Sequence, residues 1–218
     1  MKKKYFAEYI DEIDRIAKEA RIRQDLASIT LKKAEEKFNK DLKNPNLSDT
    51  RKHASREEFA EAKFAYRKEV EKIRVNMEND FHVLRGDLKK DVYEYLAADP
   101  SKVDQNAVAL LSSGAINGID LAAMSNKYWN NPTMLKLIKD RAENVQDDAA
   151  KSVRRALSVH LSPETRLTNY DSAVHVAMKT IRHEPGLSDG MQKHWDTEWY
   201  EGLRANMAKT DAFSVEVV

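Results

Sequence analysis

From Tyr5 to Leu42 the chain contains no Gly or Pro, and apolar residues recur at Phe6, Ile10, Ile13, Ala17, Ala20, Ala27, Leu31, Ala34 and Phe38. The steps alternate four and three, with Gln24 filling the one missing seat, which is the seven-residue spacing of a coiled-coil helix. Four of the seats are Ala, so a partner backbone could approach closely. Tyr5, Tyr9, Ile16, Ile22, Leu26 and Ile29 widen the apolar face enough for more than one neighbouring helix. Gln24 is either a buried residue that fixes register or a solvated residue at a gap in packing. The run Asn44-Pro45-Asn46-Leu47-Ser48-Asp49 is turn chemistry.

A second helix is expected to open at Ser55, where Ser55-Arg56-Glu57-Glu58 matches a capping box, and to stop at Asp99-Pro100. It carries Phe59, Ala62, Tyr66, Val70, Ile73, Met77, Phe81, Leu84, Leu88, Val92 and Tyr95 in steps of three, four and four without a miss. That is an eleven-residue repeat, which keeps a helix nearly straight. Such a stripe must be covered by protein, and we expect it to be the interaction surface. Gly86 lies inside this helix, off the stripe, either at a close crossing or simply on the surface.

Past Pro100 the elements shorten. A helix is expected from the Ser101–Asp104 region to Ser112, a turn at Gly114–Gly118, and a helix over Ile119–Trp129. Asn131-Pro132 is a strong helix start. The helix it opens carries Leu135, Ile138, Ala142, Val145, Ala149, Val153 and Leu157 on one face and is expected to end near Leu161. Ser162-Pro163 opens another, with Leu167, Tyr170, Val174, Met178 and Ile181 inward, ended by Pro185-Gly186. Ser188 opens the last, which carries Met191, Trp195, Trp199, Leu203 and Met207. Trp195, Trp199 and Tyr200 are candidate interface aromatics. The expected fold is all-α: a long antiparallel, coiled-coil-like helical hairpin over 1–99, a compact helical bundle over 100–210, and a tail over 211–218.

Composition supports helices. Only six Gly and five Pro occur in 218 residues, too few for the many tight turns of a sandwich or barrel. Thirty-seven basic residues face 36 acidic ones, so the net charge of +1 supplies no bulk attraction to nucleic acid or anionic lipid. The chain has no cysteine, which excludes disulfides, thiolate metal sites and thiol nucleophiles. Met1-Lys2-Lys3-Lys4 mimics the start of a signal peptide, but Glu8, Asp11, Glu12 and Asp14 break up the segment where its apolar core would lie. No membrane span is expected, and the chain is expected in the cytoplasm.

Candidate chemistry is sparse. His183-Glu184 lacks the two-histidine zinc spacing. His194 and Glu198 sit one turn apart with no third ligand apparent, and His175 reads as a packed or rim histidine. Asp147 and Asp148, as neighbours on a helix, point about 100° apart and form no carboxylate dyad. No phosphate loop or nucleophile elbow is present. Residues 104–131 have the outline of a helix–turn–helix, but the second helix offers only Asp120, Ser125, Asn126, Lys127 and Tyr128, poor equipment for phosphate. Lys151, Arg154 and Arg155 form a small basic cluster suited to ion pairs within the helix. The expectation is a protein without catalytic residues, metal or cofactor.

The stretch from Leu110 to Ala142 reads Leu-Leu-Ser-Ser-Gly, then Asp-Leu-Ala-Ala-Met, then Lys-Tyr-Trp-Asn-Asn-Pro-Thr-Met-Leu-Lys-Leu-Ile. It resembles uncharacterised helical proteins of tailed phages and prophages of Gram-positive bacteria. The resemblance implies a phage origin and a place among virion assembly or structural proteins, scaffold-like or head-associated, in the host cytoplasm or the virion. Such a protein would act by self-association as a homo-oligomer or by binding a protein partner. The alternative is a small phage regulator that binds nucleic acid or a host protein.

Overall fold

Loop residues Asn44 to Ser48 let the chain reverse between two long helices. Asn44 forms an Asx turn, its Oδ1 accepting from the Asn46 amide at 3.0 Å. The computed structural model describes residues 6–181 and 200–211, and every regular element among them is helical. The elements are α1 (Ala7–Lys43), α2 (Asp49–Leu96), a single 3-10 turn (Pro100–Lys102), α3 (Gln105–Ser112), α4 (Gly118–Lys127), α5 (Pro132–Glu143), α6 (Asp148–His160), α7 (Pro163–Lys179) and α8 (Tyr200–Asp211). The protein is all-α, a long helical hairpin followed by a helical bundle.

Helix α2 starts at Asp49, one turn and a half before the expected Ser55. Ser48 is the residue that caps it: its carbonyl takes the amides of Arg51 and Lys52, and its hydroxyl accepts from the Arg51 amide at 3.4 Å. Ser55 instead lies four residues before Phe59, on the line of the apolar stripe, and is buried there. A capping-box pattern is only local, and a longer stripe overrode it.

The described residues fall into two compact units. One comprises residues 11–83, 172–181 and 200–201, and the other residues 6–10, 84–171 and 202–211.

In the first unit α1 and α2 run antiparallel. Phe38 stacks on Phe59 with ring centroids 5.4 Å apart, and Lys37 pairs with Glu58 close to the turn. Farther from the turn, the amide nitrogen of Gln24 donates to the Tyr66 hydroxyl at 2.9 Å. Gln24 is buried, so it is not a solvated residue at a gap in packing. Tyr200 belongs to this unit and donates to Asp11 at 2.5 Å.

In the second unit a core of Leu111, Leu121, Met134, Leu135, Ile138, Val153 and Leu157, with small Ala between them, joins α3 to α6. Each of these short helices is started by a side chain that accepts first-turn amides. Asp104 takes Asn106 and Ala107. Asn117 and Asp120 form a reciprocal capping box. Asn131 takes the Met134 amide, with Pro132 following. Gly114, in the turn before α4, has a positive φ of 77° that a side chain would resist.

The single helix expected from Pro132 to near Leu161 is two helices. Asn144 caps the end of α5, and Asp147 opens α6 by accepting from the Ala150 amide at 2.7 Å. The same carboxylate accepts from the Gly118 amide at 2.7 Å, tying α4 to α6. The apolar periodicity survives the break because α5 and α6 pack on each other and both need an inward face.

Of the residues expected inward from α7 onward, Tyr170 and Ile181 are buried. Leu167, Val174 and Met178 are half-buried, and the buried line runs through Arg166, Tyr170, Ala173 and Ala177. Arg166 is completely buried. Its guanidinium donates to the His160 carbonyl at 2.7 Å and lies 4.6 Å from the Phe6 ring and 5.4 Å from the Tyr95 ring. Close by, Asp211 at the end of α8 accepts from the Ala7 amide at 3.0 Å and so caps the start of α1.

Candidate interaction surface

The eleven stripe residues of α2 are covered within one chain. Tyr66, Val70, Ile73, Met77, Phe81, Leu88 and Val92 are buried, and Phe59, Ala62, Leu84 and Tyr95 are half-buried. The buried part of the stripe is core of this chain. Of the candidate aromatics, Tyr200 is half-buried at the start of α8. Trp195 and Trp199 lie outside the described residues, as do His183, His194 and most of the tail over 211–218.

A second candidate surface is the outer face of α1. Its middle turns the larger apolar side chains away from α2: Ile22, Leu26 and Ile29 are 60%, 61% and 47% exposed. The inner seats at the same level are Ala20, Gln24 and Ser28, all buried, with Arg21 buried beside them. Small and polar residues inside with branched aliphatics outside inverts the usual arrangement. At about 100° per residue, positions 22, 26 and 29 fall within about 60° of one another, opposite the seam with α2. Spacings of four and three make these three neighbours on one face. On α2, the exposed Phe64, Val75, Val83 and Tyr93 lie eight or more residues apart and form no such cluster.

The same face carries charges at the same spacing. Glu12, Arg15 and Glu19 precede the aliphatic trio, and Lys33, Glu36 and Lys40 come after it. Arg15 holds both of its acidic neighbours, at 2.8 Å to Glu12 and 2.6 Å to Glu19. From Arg15 to Lys40 every one of these residues is exposed, and Glu12 is half-buried.

Elsewhere the geometry narrows the chemistry. On α4, Ser125 is buried and donates to the Leu121 carbonyl, so it is not presented to a duplex. Lys127 lies 4.0 Å from Asp104 and over the Tyr128 ring. Lys151 pairs with Asp148 at 2.8 Å, the within-helix role its spacing implied. His175 is exposed on α7 and not packed. Among the described residues no group of three or more His, Asp or Glu is placed to hold a metal ion, and no helix is long and apolar enough to cross a membrane.

Gly86 has nothing within 4 Å of where a Cβ would sit, so it is a surface glycine. Gly118 is the opposite case. A Cβ there would lie 2.0 Å from Asp147 Oδ1 and 2.3 Å from the Ala150 nitrogen. The atoms that crowd Gly118 come from 29 and more residues away, so the local sequence does not show the crowding.

No family model matches the chain, and neither a curated protein nor a solved structure matches it.

Proposed function

We propose that this is a non-enzymatic helical interaction protein that acts by self-association or by binding a protein partner, as an assembly or structural component of a tailed-phage virion. One observation carries the interaction half of this reading: Ile22, Leu26 and Ile29 face water side by side on α1 while polar and small residues fill the seam beneath them. Isolated exposed aliphatics need no explanation, but a cluster at helical spacing on a long helix is what a docking surface requires. The phage half rests on the resemblance over Leu110 to Ala142.

Light scattering across a concentration series tests self-association, with a rise in mass expected. A strict monomer at high concentration sinks that version and leaves only a heterologous partner. Genes for a portal and a major capsid protein beside this one are expected for the assembly role. An early-gene position, together with salt-sensitive retention on random duplex DNA, would replace it with the regulator reading.

A further inference from the structure

Resting on the self-association reading, we propose that the partner is a second copy of this chain, docked antiparallel along the outer face of α1 with a two-fold axis at Leu26. The order of residues along that face is self-complementary. Reading every three or four residues gives Glu12, Arg15, Glu19, Ile22, Leu26, Ile29, Lys33, Glu36 and Lys40. Reversed about Leu26, this row matches itself with opposite charges facing. Leu26 meets Leu26, Ile22 meets Ile29, Glu19 meets Lys33, Arg15 meets Glu36, and Glu12 meets Lys40.

Each ion pair occurs twice by symmetry, as an isologous interface demands. In a parallel pair every charge would meet its own copy: Glu on Glu at 12 and 19, Lys on Lys at 33 and 40. Like charges placed across an interface exclude an arrangement more strongly than matched ones drive it, so this pattern selects direction and register. The aliphatic trio at the centre supplies the apolar contact. The alternation of three and four is the heptad spacing, which keeps the line facing its partner as the helices wind about each other. The strip is one helix wide and about 43 Å long at about 1.5 Å per residue. At about 10 Å wide the strip covers about 430 Å² per partner, well under the roughly 800 Å² of stable complexes, so a weak dimer is expected.

The test uses the full chain, which has no native cysteine to interfere. Leu26→Cys should form a disulfide-linked dimer on mild oxidation, since the two copies of residue 26 meet at the axis. Lys40→Cys should not, because its copies lie about 42 Å apart in this arrangement. Cross-linking through Lys40→Cys as readily as through Leu26→Cys means a parallel pair and overturns the proposal.

Sedimentation then reads the register. Glu19→Lys should weaken the dimer about tenfold, and Glu19→Lys combined with Lys33→Glu should restore it, because the double variant re-forms the pair with its sign reversed. Leu26→Lys should abolish association while leaving the helical signal, and the melting temperature read at concentrations too low for the natural chain to dimerise, unchanged, since this side chain faces water in the single chain. If association persists undiminished in Leu26→Lys, or the double charge variant fails to recover, this interface is wrong although the protein still self-associates. If the natural chain is a monomer at every concentration, the self-association reading falls with it.

Discussion

The side-chain amide of Gln24 donates to the Tyr66 hydroxyl at 2.9 Å inside the seam between α1 and α2. A shift of one residue along the seam would separate this pair. Burial also holds the Tyr66 phenol above its ordinary value of 10.0, so it stays protonated throughout the working pH range. Tyr66→Phe should cost about 1–2 kcal/mol, since it leaves a buried amide without this acceptor. Combining it with Gln24→Leu should recover most of that loss, because replacing both partners by apolar groups is close to neutral. Urea denaturation of the two single variants and the double one measures the coupling, and additive losses would show that the pair does not act as a unit.

Two glycines should respond in opposite directions to the same change. Gly118→Ala places a Cβ 2.3 Å from the backbone nitrogen of Ala150, a contact that backbone cannot relax without separating α4 from α6. A loss of about 3 kcal/mol or more is expected, or failure to fold. Gly86→Ala meets nothing within 4 Å in the middle of a helix, so it should stabilise by about 0.5–1 kcal/mol. Thermal melts of both variants check the pair, and destabilisation by Gly86→Ala would reveal a contact at that face.

Features encoded by neighbouring residues were legible in the sequence. The α2 stripe, the Asn131-Pro132 and Ser162-Pro163 starts, and the hairpin turn all come from local pattern. What failed was whatever depends on the other side of a contact. Ile22, Leu26 and Ile29 read as the edge of one wide apolar face, because periodicity does not say which side of α1 the second helix takes. Once α2 packs on the Ala and Gln side, those three are left on the opposite side. The break at Asn144 to Asp147 was written in capping residues, but a continuous apolar line across it hid the signal. Arg166 was unreadable as a core residue, since a buried guanidinium needs the Phe6 and Tyr95 rings and the His160 carbonyl that only the fold assembles.

That environment makes Arg166 a site where shape and charge can be separated. Burial pushes its guanidinium below the ordinary value, with Tyr95 and Asp211 acting in the other direction. Arg166→Ala should cost about 3–5 kcal/mol, through a void between the rings and the lost donor to the His160 carbonyl. Arg166→Met keeps much of the volume and removes the desolvated charge, so its cost should be markedly smaller. Equal losses in denaturant titrations would mean that the hydrogen bond, not the packing, dominates.

Acidity should act on the caps and on Asp211 in opposite senses. The carboxylate of Asp147 is held below its ordinary 3.8 by the Ala150 and Gly118 amides, and that of Asp104 by the Tyr128 hydroxyl and the Ala107 amide. A depressed folded value means stability that is present above about pH 4 and is lost as pH falls through the folded values. Asp211 is raised above 3.8, chiefly by burial, against the opposing pull of the Ala7 and Phe6 amides and of Arg166. Its charged form is the one the fold disfavours, so its contribution is greatest when protonated and falls as pH rises through the raised value. Asp147→Asn should therefore lower the melting temperature at pH 7 and flatten its decline as pH falls below about 4. Asp211→Asn keeps an oxygen for the Ala7 amide and removes the buried charge, so it should raise the melting temperature at pH 7 and change it little at pH 3. A fall at pH 7 in Asp211→Asn would show that attraction to Arg166 outweighs the desolvation of Asp211 and reverse the sign assigned to it.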